Sequence, residues 1–383
     1  MKIAFLTHEY PHFKTGNSGG IGTSIKNLAT GLLAQGCSVR VLVYGQNEES
    51  VFEDQGIVIQ QIKNIKLKGL SWFLTRQKIQ RIIDQLYDQK EIDVVEVADW
   101  TGITSFIQPK ACPIVIKIHG SDTYFCHLDN RRVKWNNKFH EKRALKKADG
   151  LISVSQFAAD LTNQVFGLNK QFTIIPNAID VNLFKNASNN DNNEGKTILY
   201  FGSLIRKKGL LELPYIFNEV LKNNPDVQLI LVGNDVPDII SGNESTWQMM
   251  KKLFTPEALL KVSYLGSVPY QEIKQQIDLA TICVFPSFAE ALPVSWIEAM
   301  ALQKAVVASN IGWATEIISD GEDGFLIDPR DHSIYAQKIL KLLENRNLRE
   351  GFGIKARAKI VQNFSIEIVA KQSFNFYKKV LNQ

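Results

Sequence analysis

The chain has 383 residues, which is more than one hydrophobic core usually supports, so we expect two domains of ordinary size. Hydrophobic residues make up 45% of the chain and charged residues 22%, which excludes a disordered or fibrous protein. The net charge is +5, and the first 182 residues carry the whole excess, with 22 Lys+Arg against 17 Asp+Glu. That half is therefore the better candidate for contact with an anionic surface or substrate.

The start of the chain predicts a first strand over residues 2–6, and this apolar run is too short for a signal peptide. No later segment has the uninterrupted apolar length of a membrane-spanning helix. The four cysteines have neither disulfide nor metal-site spacing, as expected of reduced thiols. We therefore predict a cytoplasmic protein without a metal site.

Short β-branched runs alternate with longer amphipathic stretches, which is the pattern of parallel α/β folding. In the first half the predicted strands cover residues 2–6, 39–44, 94–97, 114–118, 151–154 and 173–175. In the second half they cover residues 198–201, 228–232, 263–265, 282–285 and 305–308. Two similar α/β halves in series are predicted.

The run KNASNNDNNEGK separates the halves and is rich in residues that favour turns. We predict an N-terminal domain over 1–182, a linker over 183–196 with a hinge near Asn189, and a C-terminal domain over 197–364. The last segment, 365–383, is predicted to form a helix that packs back on the N-terminal domain.

Two glutamates in the stretch PSFAEALPVSWIEAMA are the strongest chemical signal in the sequence. Glu290 lies on a loop after a predicted strand, and Pro293 suits the first turn of the helix that follows. Glu298 then lies about five residues into that helix. A helix N-terminus presents free N–H groups and partial positive charge, which suits a diphosphate. Spacing alone is equally compatible with two ordinary surface glutamates.

Three further blocks accompany this stretch in order: GNSGGIGTSIKNLATGLLAQG near the start, YFGSLIRKKG after the linker, and GWATEIISDGEDGFLID downstream. Together the four blocks resemble the retaining glycosyltransferases of family four, with their Glu-x7-Glu signature. The resemblance extends from residue 1 to about 329. It implies the GT-B fold, in which two Rossmann-like domains face each other across a cleft.

By this resemblance, Lys208 and Arg206 neutralise the diphosphate of a nucleotide-sugar donor, and Lys208 stabilises the charge that grows on the leaving group. The family usually has arginine directly after the turn glycine, where this chain has Ser203. We therefore assign the work of the missing guanidinium to Arg206. The alternative is that the RKK run is a solvated helix entrance.

The same resemblance implies that Glu298 accepts hydrogen bonds from the ribose hydroxyls, and that Glu290 faces the transferred sugar and takes part in catalysis. The turn between them is expected to hold the donor sugar and phosphate, through Ala291, Leu292, Pro293 and Val294; Pro293 has no N–H to offer.

In the first half, Gly20 and Gly22 open a predicted helix and would let the backbone approach a donor phosphate. Their spacing is only loosely that of a dinucleotide fingerprint, and no acidic residue ends the second strand, so a nicotinamide cofactor is disfavoured. His119 ends an apolar strand; it is either a structural hydrogen-bonding residue or, as the resemblance implies, a catalytic residue near the donor sugar.

Glu96 and Asp99 are predicted to end a neighbouring strand at the same edge, where they either orient the acceptor or have a structural role. Residues 131–147 carry eight Lys+Arg and one acid, with Trp135 and Phe139 interleaved. This stretch predicts either a solvated helix with inward aromatics or peripheral contact with anionic lipid. Residues 70–86 are a second such candidate. No motif supports nucleic-acid binding.

The sequence thus predicts a retaining, metal-independent hexosyltransferase that uses a UDP- or GDP-sugar and no cofactor. The expected acceptor is a glycan or a lipid-linked molecule of cell-surface polysaccharide or glycoconjugate biosynthesis, at the inner face of the plasma membrane. The alternatives are a sugar-nucleotide epimerase, a phosphorylase of the same fold, which would need a lysine for pyridoxal phosphate, and a donor-binding homologue without activity.

Overall fold

A computed structural model describes residues 1–16, 18–185 and 196–382. The chain divides into two compact units, Met1–Asp180 with Phe364–Gln383, and Val181–Asn363. We call them unit 1 and unit 2. Most of the predicted linker, including the predicted hinge near Asn189, lies outside the described residues.

Unit 1 is built on an eight-stranded sheet with the order β3-β4-β2-β1-β5-β6-β7-β8. Its strands are β1 (Lys2–Thr7), β2 (Ser38–Gln46), β3 (Ser50–Asp54), β4 (Ile57–Lys63), β5 (Val94–Ala98), β6 (Ile114–Ile118), β7 (Gly150–Ser153) and β8 (Thr173–Ile174). Neighbouring strands are parallel except β3 and β4, which pair antiparallel. The helices of this unit are α1 (Gly20–Ala34), α2 (Ser71–Asp88), α3 (Asp122–Leu128), α4 (Trp135–Lys147) and α5 (Gln156–Phe166).

Unit 2 is built on a six-stranded parallel sheet with the order β11-β10-β9-β12-β13-β14. Its strands are β9 (Thr197–Phe201), β10 (Gln228–Val232), β11 (Val262–Tyr264), β12 (Ile282–Phe285), β13 (Ala305–Ser309) and β14 (Phe325–Ile327). Its helices are α6 (Leu213–Asn223), α7 (Thr246–Lys251), α8 (Pro256–Leu259), α9 (Tyr270–Leu279), α10 (Val294–Ala301), α11 (His332–Glu344) and α12 (Arg346–Phe364).

The strand order of unit 2 explains where its loops meet. β9 is the first strand of the unit and lies in the middle of the sheet, with β10 on one side and β12 on the other. The connections from β9 therefore lead first to strands on one side of it and later to strands on the other side. In open parallel sheets ligands bind at such a point, outside the carboxyl ends of the strands. The loops after β9, β10 and β12 all leave from this edge.

The final helix, α13 (Ile366–Leu381), returns to unit 1 and packs against α1. A Cβ on Gly31 of α1 would lie 2.4 Å from Ile366 Cγ2 and 2.8 Å from the Ala370 Cβ, so the two helices pack at a distance that only glycine allows. The Tyr377 hydroxyl donates a 2.6 Å hydrogen bond to the Glu96 carboxylate in β5. The last helix therefore packs against both α1 and the first sheet.

Candidate active site

Two loops of unit 2, one after β9 and one after β12, are fixed against each other. Gly209 has φ 71°, and a Cβ at this position would lie 1.8 Å from the Pro286 carbonyl oxygen. The N–H groups of Phe288 and Ala289 both donate to the Lys207 carbonyl, at 2.8 and 3.1 Å. The backbone therefore sets the distance between side chains on the two loops.

Lys208 and Glu290 are brought together by this contact. The Lys208 Nζ lies 3.4 Å from Glu290 Oε1. The Ser287 hydroxyl donates to the same oxygen at 3.3 Å, and only 9% of Glu290 is exposed. A cation and a buried carboxylate thus lie side by side at the carboxyl edge of the sheet.

Glu298 lies on α10, five residues into the helix as predicted, although Pro293 precedes the first helical residue and so caps the helix. The Glu298 side chain is buried and accepts a 2.7 Å hydrogen bond from the Tyr270 hydroxyl. Burial raises the pKa of Glu298 to about 7, although the Tyr270 hydrogen bond and the Lys208 charge act in the opposite direction. Ala291, Leu292, Pro293 and Val294 form the turn between the two glutamates, as the sequence predicted.

Two glycines at neighbouring strand ends were not among the predicted site residues. A Cβ on Gly233, after β10, would lie 1.9 Å from the Gly202 carbonyl oxygen, and a Cβ on Gly202 would lie 3.3 Å from the Lys208 Nζ. Only glycine fits where the two strand ends approach each other so closely. A glycine directly after an apolar strand, as in LILVG, was the available signal.

Arg206 is paired with an acidic side chain, and its predicted contact with a donor diphosphate stays a prediction. Its Nε and Nη2 atoms donate to the two carboxylate oxygens of Asp238, at 2.8 and 2.7 Å. Hydrogen bonding by Arg206 lowers the pKa of Asp238, which is almost fully buried. Ser203 is exposed, and its carbonyl accepts from the Tyr200 hydroxyl at 3.0 Å. In this structure the guanidinium holds the loop after β10.

In unit 1, the glycine-rich turn is occupied by an acidic side chain. Gly20 is the first residue of α1, and the Gly22 N–H donates to Glu9 Oε1 at 2.8 Å. His8 Nε2 lies 3.6 Å from the other Glu9 carboxylate oxygen. The donor-phosphate role of Gly20 and Gly22 stays a prediction, and it requires that Glu9 leave this position.

His119 and Asp99 lie together at the carboxyl ends of β5 and β6. The His119 N–H donates to Asp99 Oδ1 at 2.9 Å. Burial lowers the pKa of the His119 imidazole to about 3, with a further contribution from the Lys117 charge, so the ring is neutral near pH 7. Burial also raises the pKa of Asp99 to about 7. Asp99 therefore fixes the backbone that carries the histidine.

The placement predicted for Glu96 is wrong. Glu96 is the third residue of β5 rather than its end, because the strand continues to Ala98. Its carboxylate is buried beside Lys117 and accepts from Tyr377, and burial raises its pKa. Because its carboxylate is enclosed between the sheet and α13, the structural role is the one that the surroundings of Glu96 favour.

Within residues 1–16, 18–185 and 196–382, no group of three or more His, Cys, Asp or Glu side chains is placed to hold a metal ion. None of the helices in those ranges is long and apolar enough to cross a membrane.

Comparison with known sequences decides the family. The profile of the group 1 glycosyl transferases matches residues 182–359, and that of Glycosyltransferase Family 4 matches residues 18–183. The chain belongs to glycosyltransferase family 4. The two matches together cover both units, and they confirm the family that the sequence motifs resembled.

Related proteins of this family are distant in sequence. An uncharacterized glycosyltransferase of Methanocaldococcus jannaschii is 24% identical over 405 residues, covering 99% of this chain and 98% of the relative. The phosphatidyl-myo-inositol mannosyltransferase of Mycobacterium tuberculosis is 29% identical over 243 residues, covering 61% of each chain.

Solved structures confirm the GT-B fold of this family-4 member. Sucrose-phosphate synthase of Thermosynechococcus elongatus superimposes with a TM-score of 0.79 at 20% identity over the full length of both chains. HepE of Anabaena, in complex with UDP and glucose, superimposes with a TM-score of 0.77 at 21% identity over 99% of both chains.

Proposed function

We propose that the protein is a retaining glycosyltransferase that moves a hexose from a UDP- or GDP-sugar to a glycan or lipid-linked acceptor without a metal ion. The observation that carries the proposal is the Lys208–Glu290 pair, held between two loops at the carboxyl edge of a parallel sheet. Glu298 begins the second turn of the adjoining helix. The three side chains supply one cation and two carboxylates to one site.

Lys208 takes the role of the cation that neutralises the leaving nucleoside diphosphate. Its 3.4 Å distance from Glu290 is longer than the ~2.8 Å of a strong charge-assisted hydrogen bond. The ammonium therefore exchanges this weak contact for a phosphate oxygen at small cost. Charge that develops on the leaving group is then stabilised by a lysine already in place.

Glu290 and Glu298 have different surroundings and are assigned different roles. Glu290 keeps contact with a cation and with the Ser287 hydroxyl, which suits a carboxylate that binds sugar hydroxyls at the reacting centre. Glu298 is held by Tyr270 inside the unit, which suits a carboxylate that accepts hydrogen bonds from the ribose. Retention of the anomeric configuration is supported by the Glu-x7-Glu resemblance.

Arg206 is assigned a positioning role, because its Nε and Nη2 atoms both donate to Asp238. Through Asp238 it fixes the loop after β10, whose glycine touches the turn that carries Ser203. The diphosphate contact predicted for Arg206 would have to use the guanidinium N–H groups that do not donate to Asp238. The main protein cation of the proposed donor site is thus Lys208.

His119 is assigned a hydrogen bond to the donor sugar. A neutral imidazole can donate from one ring nitrogen without placing a second positive charge near the sugar. Its backbone is fixed by Asp99, which supports a site that is organised before the substrate binds. An acceptor role for Asp99 itself stays a prediction.

Both proposed donor bases have support among relatives. HepE of Anabaena was crystallised with UDP-glucose. A mannosyltransferase of Corynebacterium glutamicum that is 24% identical over 318 residues is described as GDP-mannose-dependent. The donor base therefore has to be measured.

The decisive experiment is a calorimetric titration of the purified protein with UDP, GDP and ADP, with and without Mg²⁺. We expect one nucleoside diphosphate to bind, equally well without the metal, and Glu298→Ala to abolish the binding. Glu257→Ala, an exposed glutamate of unit 2, serves as the matched control and should leave the affinity unchanged.

Donor cleavage, measured with and without candidate acceptors, separates the remaining alternatives. Transfer to an acceptor with the anomeric configuration of the donor supports the proposal. Isomerised donor would indicate an epimerase, cleavage that requires inorganic phosphate would indicate a phosphorylase, and binding without any turnover would indicate a donor-binding protein.

A further inference from the structure

Unit 1 has an exposed aromatic face that the donor site does not use. Trp135 is 78% exposed, Trp72 45% and Phe139 42%, and Leu67 and Leu70 are each about half exposed. We call these five residues, together with the half-buried Phe106 beneath them, the aromatic patch. Such large apolar side chains are rarely grouped on the surface unless they meet a partner.

The four rings of the patch form a continuous series although they come from three parts of the chain, and Leu67 and Leu70 shortly precede Trp72 in the sequence. The rings of Trp72 and Phe106 lie 5.6 Å apart, those of Phe106 and Phe139 6.4 Å, and those of Phe139 and Trp135 5.5 Å. The sequence predicted two separate amphipathic stretches, 70–86 and 131–147. The fold places both on one face and adds Phe106 between them.

The framework under the patch is rigid. Arg143 lies 4.6 Å over the Phe106 ring and donates to the Ser105 carbonyl at 2.7 Å. Arg76 lies 5.4 Å from the Trp72 ring and donates to the Ile103 carbonyl at 3.0 Å. A Cβ on Gly102 would lie 2.4 Å from the backbone of His140, so α4 packs tightly on the turn that carries Phe106. The rings are therefore presented outward by a fixed support.

Exposed basic side chains adjoin the patch residues in the sequence. Arg132, Lys134 and Lys138 are exposed, and across the described ranges none of them pairs with an acidic side chain. Lys66 and Lys68, beside Leu67, are exposed as well. The single acid of the 131–147 stretch, Glu141, points inward and accepts from the N–H groups of Asp122 and Thr123, both at 3.1 Å.

We propose that the aromatic patch and its lysine and arginine rim form a docking surface for an anionic lipid bilayer. Because Trp135 and Phe139 are exposed, α4 is not a solvated helix whose aromatic side chains point inward. Tryptophan rings prefer the interface between lipid and water, leucine and phenylalanine enter the acyl region, and a basic rim meets anionic headgroups. This combination is the chemistry of a peripheral membrane surface.

A bilayer explains the whole surface better than a glycan partner does. A glycan would use the rings but leave Leu67 and Leu70 without a suitable contact. The inference does not depend on the donor site, because each member of the surface lies in unit 1 and every side chain assigned to the diphosphate lies in unit 2.

The test is cosedimentation of the full chain with vesicles of phosphatidylcholine alone or mixed with phosphatidylglycerol. We expect binding only to the anionic vesicles, weakened as salt rises from about 0.1 to about 0.5 M. The double variant Lys134→Gln/Lys138→Gln should bind roughly 30-fold more weakly, from about a fivefold loss for each charge. Trp135→Ala/Phe139→Ala should reduce binding to the same vesicles by tenfold or more.

Matched variants outside the patch control for general loss of charge or apolar surface. Lys355→Gln/Lys371→Gln removes two exposed lysines, and Leu260→Ala removes a side chain that is 86% exposed on unit 2. Both should bind vesicles like the unchanged protein. Circular dichroism and urea unfolding, which do not depend on the donor site, report whether the patch variants are folded.

Three results would overturn the proposal. One is failure of the unchanged protein to bind anionic vesicles. Another is equal binding by the patch variants and the unchanged protein. The third is a dimer in sedimentation experiments that Trp135→Ala/Phe139→Ala dissociates, because a second copy would then cover the patch.

Discussion

Lys208 is the residue on which the proposed chemistry depends most. It is the last residue of a short helical turn, Arg206–Lys208. The other two residues of the turn are also basic, but they make different contacts. Arg206 is paired with Asp238, and the Lys207 carbonyl joins the two loops. The third of the three basic residues, Lys208, contacts Glu290.

Replacing Lys208 with alanine is expected to slow sugar transfer by about 100- to 1000-fold, which is typical for loss of one group that stabilises developing charge. Affinity for the nucleoside without phosphates should change less than twofold, because the lysine does not contact the base or ribose in the proposed site. Steady-state kinetics and calorimetry measure the two effects. Lys222→Ala, an exposed lysine paired with Glu219, should behave like the unchanged protein. A kcat unaffected by Lys208→Ala would contradict the proposed role.

Glu298 makes a prediction about pH. Its folded-state pKa of about 7 lies above the ordinary value, so its proton is held more tightly in the folded protein. Ribose hydroxyls donate best to the ionised carboxylate, so affinity for the nucleoside is expected to rise as pH increases from about 6 to about 8. Glu298→Gln should bind more weakly and without this dependence. The use of a nucleoside rather than a diphosphate removes phosphate titration from the measurement.

The raised pKa of Glu298 also predicts how the free energy of unfolding changes with pH. Because the pKa is raised on folding, the contribution of Glu298 is complete below its unfolded-state pKa and is lost as pH rises through about 7. Glu298→Gln is expected to remove this loss, and urea unfolding at about pH 6 and pH 8 measures it. An identical pH dependence in the two proteins would show that the carboxyl is not buried in its neutral form.

At the scale of elements, the decisive feature is the contact between the loops after β9 and β12. Neither loop belongs to a regular element, yet two backbone hydrogen bonds and one glycine place them in register. The groups proposed to take part in catalysis are therefore positioned by main-chain geometry. Side-chain substitutions nearby should disturb the site less than a change at Gly209.

Gly209→Ala tests this contact, and the chain offers a matched control. Gly209 has φ 71° and Gly242 has φ 72°, so alanine meets similar backbone strain at both positions. A Cβ at position 209 also collides with the Pro286 carbonyl, whereas no atom lies within 4 Å of a Cβ at position 242. We expect Gly242→Ala to cost about 1 kcal/mol of unfolding free energy and Gly209→Ala about 2 kcal/mol more, with loss of transfer activity. Equal costs in urea unfolding would mean that the loops separate freely.

The elements that the sequence predicted correctly are those with a local signature. β6 and β10 match the predicted bounds because buried parallel strands are continuous apolar runs. β3 and β4 were missed because they form an antiparallel pair at the sheet edge, in which buried and exposed residues alternate. β14, which has three residues, was also missed.

In the candidate site, too, residues with a local sequence signature could be predicted and their distant partners could not. Glu290 and Glu298 were proposed from the sequence because their signature lies within one stretch of chain. The partners of the site were not, because Tyr270 is 28 residues from Glu298 and Asp238 is 32 residues from Arg206. Such pairs depend on which strands neighbour each other, and no local pattern encodes that order.

At the scale of the whole molecule, unit 1 is assembled from both sides of unit 2 in the sequence. The segment after Asn363 lies with residues 1–180, and α13 contributes Val369, Ala370 and Tyr377 to the core of the first sheet. Glu96 and Lys117 are buried next to this helix. Unit 1 therefore requires α13 to cover its apolar surface and its internal charges.

Gly31→Ala tests the packing of α13 on α1. The added methyl group would collide with Ile366 and Ala370, so the helices must move apart, at a cost of about 1 to 3 kcal/mol. Hydrogen exchange is expected to accelerate in α1 and α13 while the strands of unit 2 keep their protection. Gly351→Ala, in α12, has no atom within 4 Å of the new Cβ and should stabilise its helix by up to about 1 kcal/mol. Unchanged exchange in α13 would contradict the tight helix contact.

The return of α13 also sets an order of events during synthesis. A ribosome adds about 5 to 20 residues per second, so residues 181–363 take roughly 10 to 40 s to translate. Throughout that interval the first sheet has been made but the helix that covers it has not. Unit 2, whose residues are consecutive, can complete its fold first. The earliest part of the nascent chain is then the last to become fully native, and it is the part that needs protection by chaperones while translation continues.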